Sequence, residues 1–193
     1  MRQKINELKK NIIIEIADRA FQANGYEETA VSNIAKEAEV SIGTIYGFFE
    51  SKDGLFRAVH DFKISKAYEY LSAMFENNPD APRDNLKAVL TFYFTEISQH
   101  KKSVQEMLLS SPFRIGCASS NDDPSLELYR LIAKEIENLH MQMPLRSTDF
   151  LQYSFNLRNQ AAAYIERWAM LDDIVLIEKV DECLDLFLRG ALR

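Results

Sequence analysis

Few residues in the sequence have types and spacing suited to catalysis or metal binding. Glu137 and His140 form a Glu-x-x-His pair on a predicted helix, the spacing used by di-iron centres in helical bundles. Such a centre needs a second pair and two further glutamates, and neither His60 nor His100 follows a glutamate by three residues. A surface histidine near a helix end is therefore the favoured interpretation of His140.

Other motifs of catalytic or cofactor-binding proteins do not occur in the sequence. It has no glycine-rich phosphate loop, no Gly-x-Ser-x-Gly turn and no Cys/His cluster at zinc spacing. Cys117 and Cys183 belong to no Cys-x-x-Cys pair, which favours reduced thiols and a cytoplasmic location. We predict no enzyme activity, no catalytic residue, no metal site and no cofactor. An enzyme or carrier built on a helical bundle is the alternative from another class.

Composition fits an ordinary globular protein of one domain, or of a small module fused to a larger one. The chain has 193 residues, of which 47% are hydrophobic, and only 6 Gly and 5 Pro. It opens with no signal-peptide pattern and has no apolar run long enough to span a membrane. The net charge is −6, but residues 1–10 hold four basic residues against one acidic residue. They form either a solvated terminus or an arm that contacts phosphates.

Apolar residues recur at helical spacing almost throughout, which predicts an all-α fold. We expect a first helix that ends at Gly25, short helices at about 32–38 and 42–48, and a long helix from Ser51 to about 77. Later helical patterns cover about 83–99, 101–111, 124–141, 148–170 and 173–191, with an irregular stretch at 113–123. The sequence thus predicts a helix-turn-helix DNA-binding domain over 1–51 and a larger α-helical domain over 52–193.

The two short helices have the features of a helix-turn-helix. Ala35 and Ala38 provide small side chains where the helices cross, and Ser41 is a good N-cap for the second helix. That second helix is nearly uncharged and contains two glycines, which is unusual for a solvated helix. These properties suit insertion into a major groove, where glycine permits close approach and Thr44 or Ile42 can contact a thymine methyl group.

Residues 10 to 57 resemble the TetR family of bacterial transcriptional repressors. The resemblance rests on residue types and spacing across the whole motif: Ile13-Ile14, Ala17, Phe21, Gly25-Tyr26, Thr29, Ile34-Ala35, Ala38, Val40-Ser41, Gly43-Thr44-Ile45-Tyr46, Phe49, Ser51-Lys52 and Leu55-Phe56. The rest of the chain matches the family only in length and helical character. The resemblance implies a cytoplasmic homodimer, without membrane association, that binds a palindromic operator in double-stranded DNA. A small-molecule inducer of unknown identity would release it.

The same resemblance assigns residues to the DNA. Thr29, Tyr46 and Lys52 correspond to positions that hold phosphates, and residues 41–48 to the recognition helix. The full candidate DNA-binding set is Thr29, Ser32, Ser41, Ile42, Gly43, Thr44, Tyr46, Gly47, Phe48 and Lys52. The sequence departs from the family pattern at Glu39, where glycine is common, and at Ile42 and Gly47-Phe48, where polar residues are usual. A transcriptional activator or a protein-binding module on the same fold therefore stays open.

Aromatic residues are concentrated in the larger domain, which the family uses as a small-molecule pocket. Candidate ligand-binding residues are Phe92, Tyr93, Glu96, Met107, Tyr129, Asn156, Gln160, Tyr164 and Trp168. Asn156, Gln160 and Tyr164 recur at helical spacing among apolar neighbours, so a ligand could satisfy their polar atoms. A structural hydrogen bond or plain exposure of these three side chains is an equally open interpretation.

The final helix has a broad apolar face that must be covered. The core of its own chain could cover it, or a two-fold four-helix interface with a second copy could do so. The family resemblance implies the interface, which would contain Ala161, Ile177, Val180, Leu184, Phe187 and Leu188.

Overall fold

The protein is all-α in a computed structural model that describes residues 2–110, 124–171 and 173–192. The helices are α1 (Arg2–Asn24), α2 (Val31–Glu37), α3 (Ile42–Phe49), α4 (Lys52–Asn77), α5 (Pro82–Ser98), α6 (Lys101–Ser110), α7 (Pro124–Gln142), α8 (Phe150–Leu171), a 3₁₀ helix (Leu176–Lys179) and α9 (Val180–Ala191). The extended pairing recorded in these ranges is one isolated bridge between Leu145 and Leu192. The predicted fold class is confirmed.

The structure corrects some predicted helix ends. The basic residues that open the chain are helical, because α1 starts at Arg2. The helix predicted over 173–191 is instead a 3₁₀ helix followed by α9, and the β-branched residues Ile174 and Val175 disfavour a helical start before it. The helix predicted over 148–170 begins at Phe150, after an N-cap at Asp149, whose side-chain oxygen accepts from the Gln152 backbone N–H at 2.9 Å. The stretch expected to be irregular, 113–123, lies outside the described residues.

The first packed unit covers Met1–Ile64. Its core lies between α1, α2, α3 and the first half of α4, and the side chains of Ala17, Ile45 and Leu55 have no exposed area. Three aromatic residues extend this core, with Phe56 edge-on to both Phe21 and Tyr26 at 5.2 and 5.1 Å. The packing holds α3 by one face only, which leaves its other face in solvent.

The second packed unit covers Ser65–Arg193. Its core is formed mainly by α5, α7, α8 and α9, and it includes a polar cluster that the sequence did not indicate. Glu135 is buried on α7 and accepts from the Asn85 side-chain amide at 2.8 Å and from that of Asn138 at 3.1 Å. A buried carboxylate is tolerated here because amide donors replace its water.

The division between the packed units lies inside α4, at Ile64 and Ser65. The first turns of α4 belong to the first unit because they place Leu55 and Val59 in its core. The functional division of the chain into residues 1–51 and 52–193 remains a prediction.

Candidate functional site

The turn between α2 and α3 is held by backbone geometry and by one side-chain cap. Glu39 has a φ of 53°, so the turn does adopt the left-handed conformation for which glycine is the usual residue. The Val40 backbone N–H donates to the Ala35 carbonyl at 3.0 Å and closes the turn. The Ser41 hydroxyl accepts from the Thr44 backbone N–H at 3.0 Å, which confirms the predicted N-cap of α3.

The two faces of α3 differ sharply. Ile45 and Phe49 are buried against the core of the first unit, whereas Ile42 and Tyr46 are each 43% exposed. Gly43 and Gly47 lie on the exposed face, and a Cβ built at Gly47 would meet no atom within 4 Å. The exposed face of α3 is thus smooth, uncharged and open to the backbone, which permits close approach to a major groove and apolar contact with thymine methyl groups.

Thr29 does not match its predicted phosphate role. It is 3% exposed, and its hydroxyl lies 2.6 Å from the Gly25 carbonyl oxygen, to which it donates. The hydroxyl therefore closes the turn after α1, in which Gly25 has a φ of 82°. Ser32, on the exposed side of α2, and Phe48, which is half-buried against the core, retain their predicted roles as proposals only.

Lys52, at the start of α4, is held in place by the segment after α1. Its Nζ donates to the Glu27 carbonyl oxygen at 3.1 Å and lies 4.5 Å from the Tyr26 ring centroid. The Tyr26 hydroxyl donates to the Asp53 carboxylate. Burial, which is the larger cause, and this hydrogen bond together raise the pKa of Tyr26 to about 12. An ammonium group has three donors, so Lys52 keeps donors for a phosphate.

The junction between α3 and α4 has no spare space. Glu50 has a φ of 66°, and the Ser51 hydroxyl accepts from the Gly54 backbone N–H at 2.9 Å, which caps α4. A Cβ at Gly54 would overlap the carbonyl oxygen of Phe49, the last residue of α3. Glycine is required at this position because the end of α3 lies directly against the first turn of α4.

The candidate ligand-binding residues do not form one group. Phe92 and Glu96 line an open groove of about 420 Å³ between α4 and α5, together with Tyr70. The Phe92 and Tyr70 rings stack with their centroids 5.1 Å apart. Trp168 is buried elsewhere in the core, and Lys101 lies 5.4 Å from its ring centroid. The side chain of Met107 falls outside the described residues.

The polar row on α8 is used within the chain. The Gln160 amide donates to the Cys183 carbonyl oxygen at 3.0 Å, and the Tyr164 hydroxyl donates to Glu182 at 3.0 Å. Asn156 is exposed and accepts from Gln152 at 3.0 Å. These side chains hold α8 against α9 or face solvent, which corrects their assignment as polar groups of a pocket.

Tyr93, on α5, interacts electrostatically with an arginine that sequence reasoning missed. Tyr93 packs on the core of the larger unit, whereas Tyr129 on α7 is buried with its ring centroid 4.4 Å from that of Phe155. Burial raises the pKa of Tyr93, and the Arg158 charge opposes this. The sequence could have drawn attention to Arg158 because this basic residue directly follows Leu157, which is buried on α8.

The residues predicted to form the dimer interface are mostly core residues of a single chain. Val180, Leu184, Phe187 and Leu188 are each at most 5% exposed, as is Ala161, because this face of α9 packs on α5 and α8. Of the predicted set, Ile177 alone is exposed, at 41%. The large apolar residues with exposed side chains from the end of α8 to α9 include Met170, Leu171, Val175, Ile177 and Leu186.

The Glu-x-x-His pair has a structural explanation. His140 Nδ1 accepts from the Leu145 backbone N–H at 3.0 Å, just beyond the end of α7. No group of three or more potential metal ligands occurs in the described ranges. Within these same ranges, no helix is long and apolar enough to cross a membrane.

The comparison with known families decides between the functional classes. Residues 13–59, which run from α1 through α2 and α3 to the first turns of α4, match the model of bacterial regulatory proteins of the tetR family. Over these residues the chain is similar to the TetR family. Its relatives are transcriptional regulators, so the family comparison favours a regulator over an enzyme.

Transcriptional regulators resemble the chain over different shares of its length. The HTH-type transcriptional regulator YuxN of Bacillus subtilis is 31% identical over 100 residues, which cover 52% of this chain and 34% of the relative. HbdR of an Aromatoleum species is 24% identical over 190 residues, which cover 98% of this chain and 83% of the relative. Thermus thermophilus FadR, solved with lauroyl-CoA, has a TM-score of 0.69, 22% identity and 95% coverage of both chains, and so shares the fold.

Proposed function

We propose that the protein is a transcriptional repressor that binds operator DNA as a homodimer and releases it when a small molecule binds to the larger unit. The observation that carries the proposal is the exposed face of α3. Ile42 and Tyr46 are large, exposed and free of charge there, while Ile45 and Phe49 fix the helix from behind. An exposed face of this kind is expected at a DNA groove.

Contacts with DNA would come from α2, from α3 and from the start of α4. Ile42, Gly43 and Thr44 would lie against base edges, with Ser32 of α2 beside them, while Tyr46 and Lys52 would hold phosphates. Two copies would place their α3 helices in successive major grooves, about 34–36 Å apart, so the operator would be palindromic.

The dimer would use exposed rather than buried residues of the last helices. Leu186, on the outer side of α9, is 48% exposed, and Met170 and Leu171 at the end of α8 are 48% and 68% exposed. These side chains replace the buried set expected from the sequence. Exposed apolar side chains are stabilised when a second copy covers them.

Ligand control requires only a difference in affinity between two states of the protein. Thermus thermophilus FadR, which shares the fold, was solved in complex with lauroyl-CoA, and this supports a small-molecule ligand for this protein. An effector that binds the DNA-free form tenfold more tightly than the DNA-bound form weakens operator binding tenfold. Helix α4 connects the two units and would carry this coupling.

The test is selection of bound DNA from a random pool by the full chain, followed by mobility-shift titration of the selected site. We expect a palindromic consensus. Tyr46→Ala should weaken binding to it by about 10- to 100-fold, the range for loss of a hydrogen bond to a charged group. Tyr68→Ala is the matched control, since Tyr68 is also an exposed helical tyrosine, at 37%, but lies on α4. Failure to enrich any sequence, or equal effects of the two variants, would contradict the proposal.

A further inference from the structure

One arginine of the larger unit has a donor that no described residue accepts from. Arg158 is half-buried on α8, and its Nη1 donates to the Asn159 side-chain oxygen at 2.9 Å. Its Nε is buried and has no hydrogen-bond partner. Buried donors without acceptors are rare in native proteins because they lose hydration without replacement. The guanidinium of Arg158 therefore lacks an acceptor that its chemistry demands.

A second arginine on the same helix shows which acceptor fits. Arg167 uses its Nε and Nη2, whose N–H bonds point the same way, to bind the two oxygens of Asp173 at 2.6 to 3.1 Å. In Arg158 the asparagine contact occupies Nη1 alone, so the equivalent Nε and Nη2 edge has no acceptor among the described residues. That edge matches the two oxygens of a planar carboxylate.

The neighbours of Arg158 suit an amphipathic molecule. Phe155 lies one helical turn before it and packs on Tyr129 at 4.4 Å between ring centroids, which provides apolar surface. Burial raises the pKa of the Tyr93 phenol, and the positive charge of Arg158 lowers it by a smaller amount. Tyr93 is thus protonated at neutral pH, so its hydroxyl can donate to an anion.

We propose that the Nε and Nη2 edge of Arg158 binds the carboxylate of an amphipathic monocarboxylic acid, and that this acid is the effector. The regulatory half of this statement rests on the proposed function. A single negative charge is inferred because Arg158 provides one positive charge without a described carboxylate partner. Lys87, Arg83 and Arg167 of the same unit, by contrast, are each paired with an aspartate. The aromatic neighbours take the apolar body of the acid.

Calorimetric titration of the full chain with decanoate and with 1-decanol measures the role of the carboxylate. We expect the wild-type protein to bind decanoate more tightly than 1-decanol. Arg158→Met should weaken decanoate binding by about 10- to 100-fold, because bidentate bonds to a charged group are lost. Tyr93→Phe should weaken it by a smaller factor. Arg167→Met is the matched control and should bind decanoate as the wild type does.

Thermal unfolding without ligand distinguishes a ligand-binding arginine from a structural one. Arg158→Met should unfold at the same or a higher temperature than the wild type, because it removes a buried donor that has no acceptor. A lower unfolding temperature together with unchanged decanoate affinity would overturn the proposal. Equal affinities of decanoate and 1-decanol for the wild type would also overturn it.

The same samples separate this inference from the proposed function. Decanoate binding that depends on Arg158, together with release of selected operator DNA, supports both. Binding that depends on Arg158 but leaves the DNA complex intact supports the carboxylate site and overturns its regulatory role. A protein that binds its operator but shows no such decanoate binding overturns the inference and leaves DNA recognition standing.

Discussion

Residues of the same type have different roles in the two packed units, and their polar atoms show why. Tyr46 of α3 and Tyr164 of α8 are both partly exposed, but Tyr164 donates to Glu182 while no described residue accepts from Tyr46. On the exposed face of α3, Ile42 and Tyr46 have no charged partner among the residues that the structure describes. Many charged residues of the larger unit, by contrast, are paired, such as Lys87 with Asp181 at 2.6 Å. The first unit thus exposes side chains on α3 that can contact another molecule, whereas in the second unit many charged side chains are paired with each other.

The largest effect is expected at α9, where neighbouring leucines differ in burial. Leu184→Lys places a charge in the core of the larger unit, because Leu184 has no exposed area, and should cost several kcal/mol of folding free energy. Leu186→Lys should leave the chain folded, since Leu186 is 48% exposed, and should dissociate the proposed dimer. Circular dichroism and sedimentation measure both. A folded Leu184→Lys variant would remove the contrast between the two faces of α9.

The second effect tests the same contrast on α3. Ile45→Ala should lower the free energy of unfolding by about 2–5 kcal/mol, because Ile45 is fully buried. Ile42→Ala should change the stability little and weaken operator binding. Chemical denaturation and mobility-shift titration of both variants check this. Comparable losses of stability in the two variants would show that the exposed face of α3 is part of the core.

A smaller effect is expected at Lys52. Lys52→Met keeps an apolar stem beside Tyr26 but removes the charge, so operator and random DNA should bind more weakly by a similar factor. The slope of log affinity against log salt should decrease by about one unit, as expected for the loss of one phosphate contact. A loss confined to the operator, with an unchanged slope, would instead assign Lys52 to sequence recognition.

The smallest effect concerns alkaline pH. The pKa of Tyr26 is raised from its usual 10.0 to about 12, so the folded form keeps the phenol proton that the unfolded chain loses near pH 10. The resulting stability is complete below pH 10 and is lost as the pH rises from 10 through 12. Tyr26→Phe should lose less stability than the wild type over this range in urea unfolding. Tyr46→Phe, which keeps the Tyr26 to Asp53 hydrogen bond, should lose as much as the wild type does.

Helix positions and the DNA-binding module were predictable because they depend on local signals. Ser41 caps α3 as its residue type indicates, and the apolar spacing of Ile45 and Phe49 identifies the buried face. Thr29 was misassigned because its type suits a phosphate, while its hydroxyl donates to the Gly25 carbonyl oxygen four residues earlier, in a turn that the residue type alone does not reveal.

The larger unit was harder to predict because its contacts are distant in sequence. The apolar face of α9 suits either a core or a dimer, and the choice depends on packing against α5, about a hundred residues earlier. Gln160 and Tyr164 likewise find their partners on α9. The proposed role of Arg158 depends on the lack of an acceptor for its Nε among the described residues. A sequence pattern does not reveal that an acceptor is missing.

The close contact at Gly54 has a mechanical consequence. Because a side chain there would meet the carbonyl of Phe49, α3 cannot move towards α4 without a collision. A displacement of the first turn of α4 towards α3 would therefore have to carry the end of α3 with it. In this direction of motion the two helix ends act as one mechanical element.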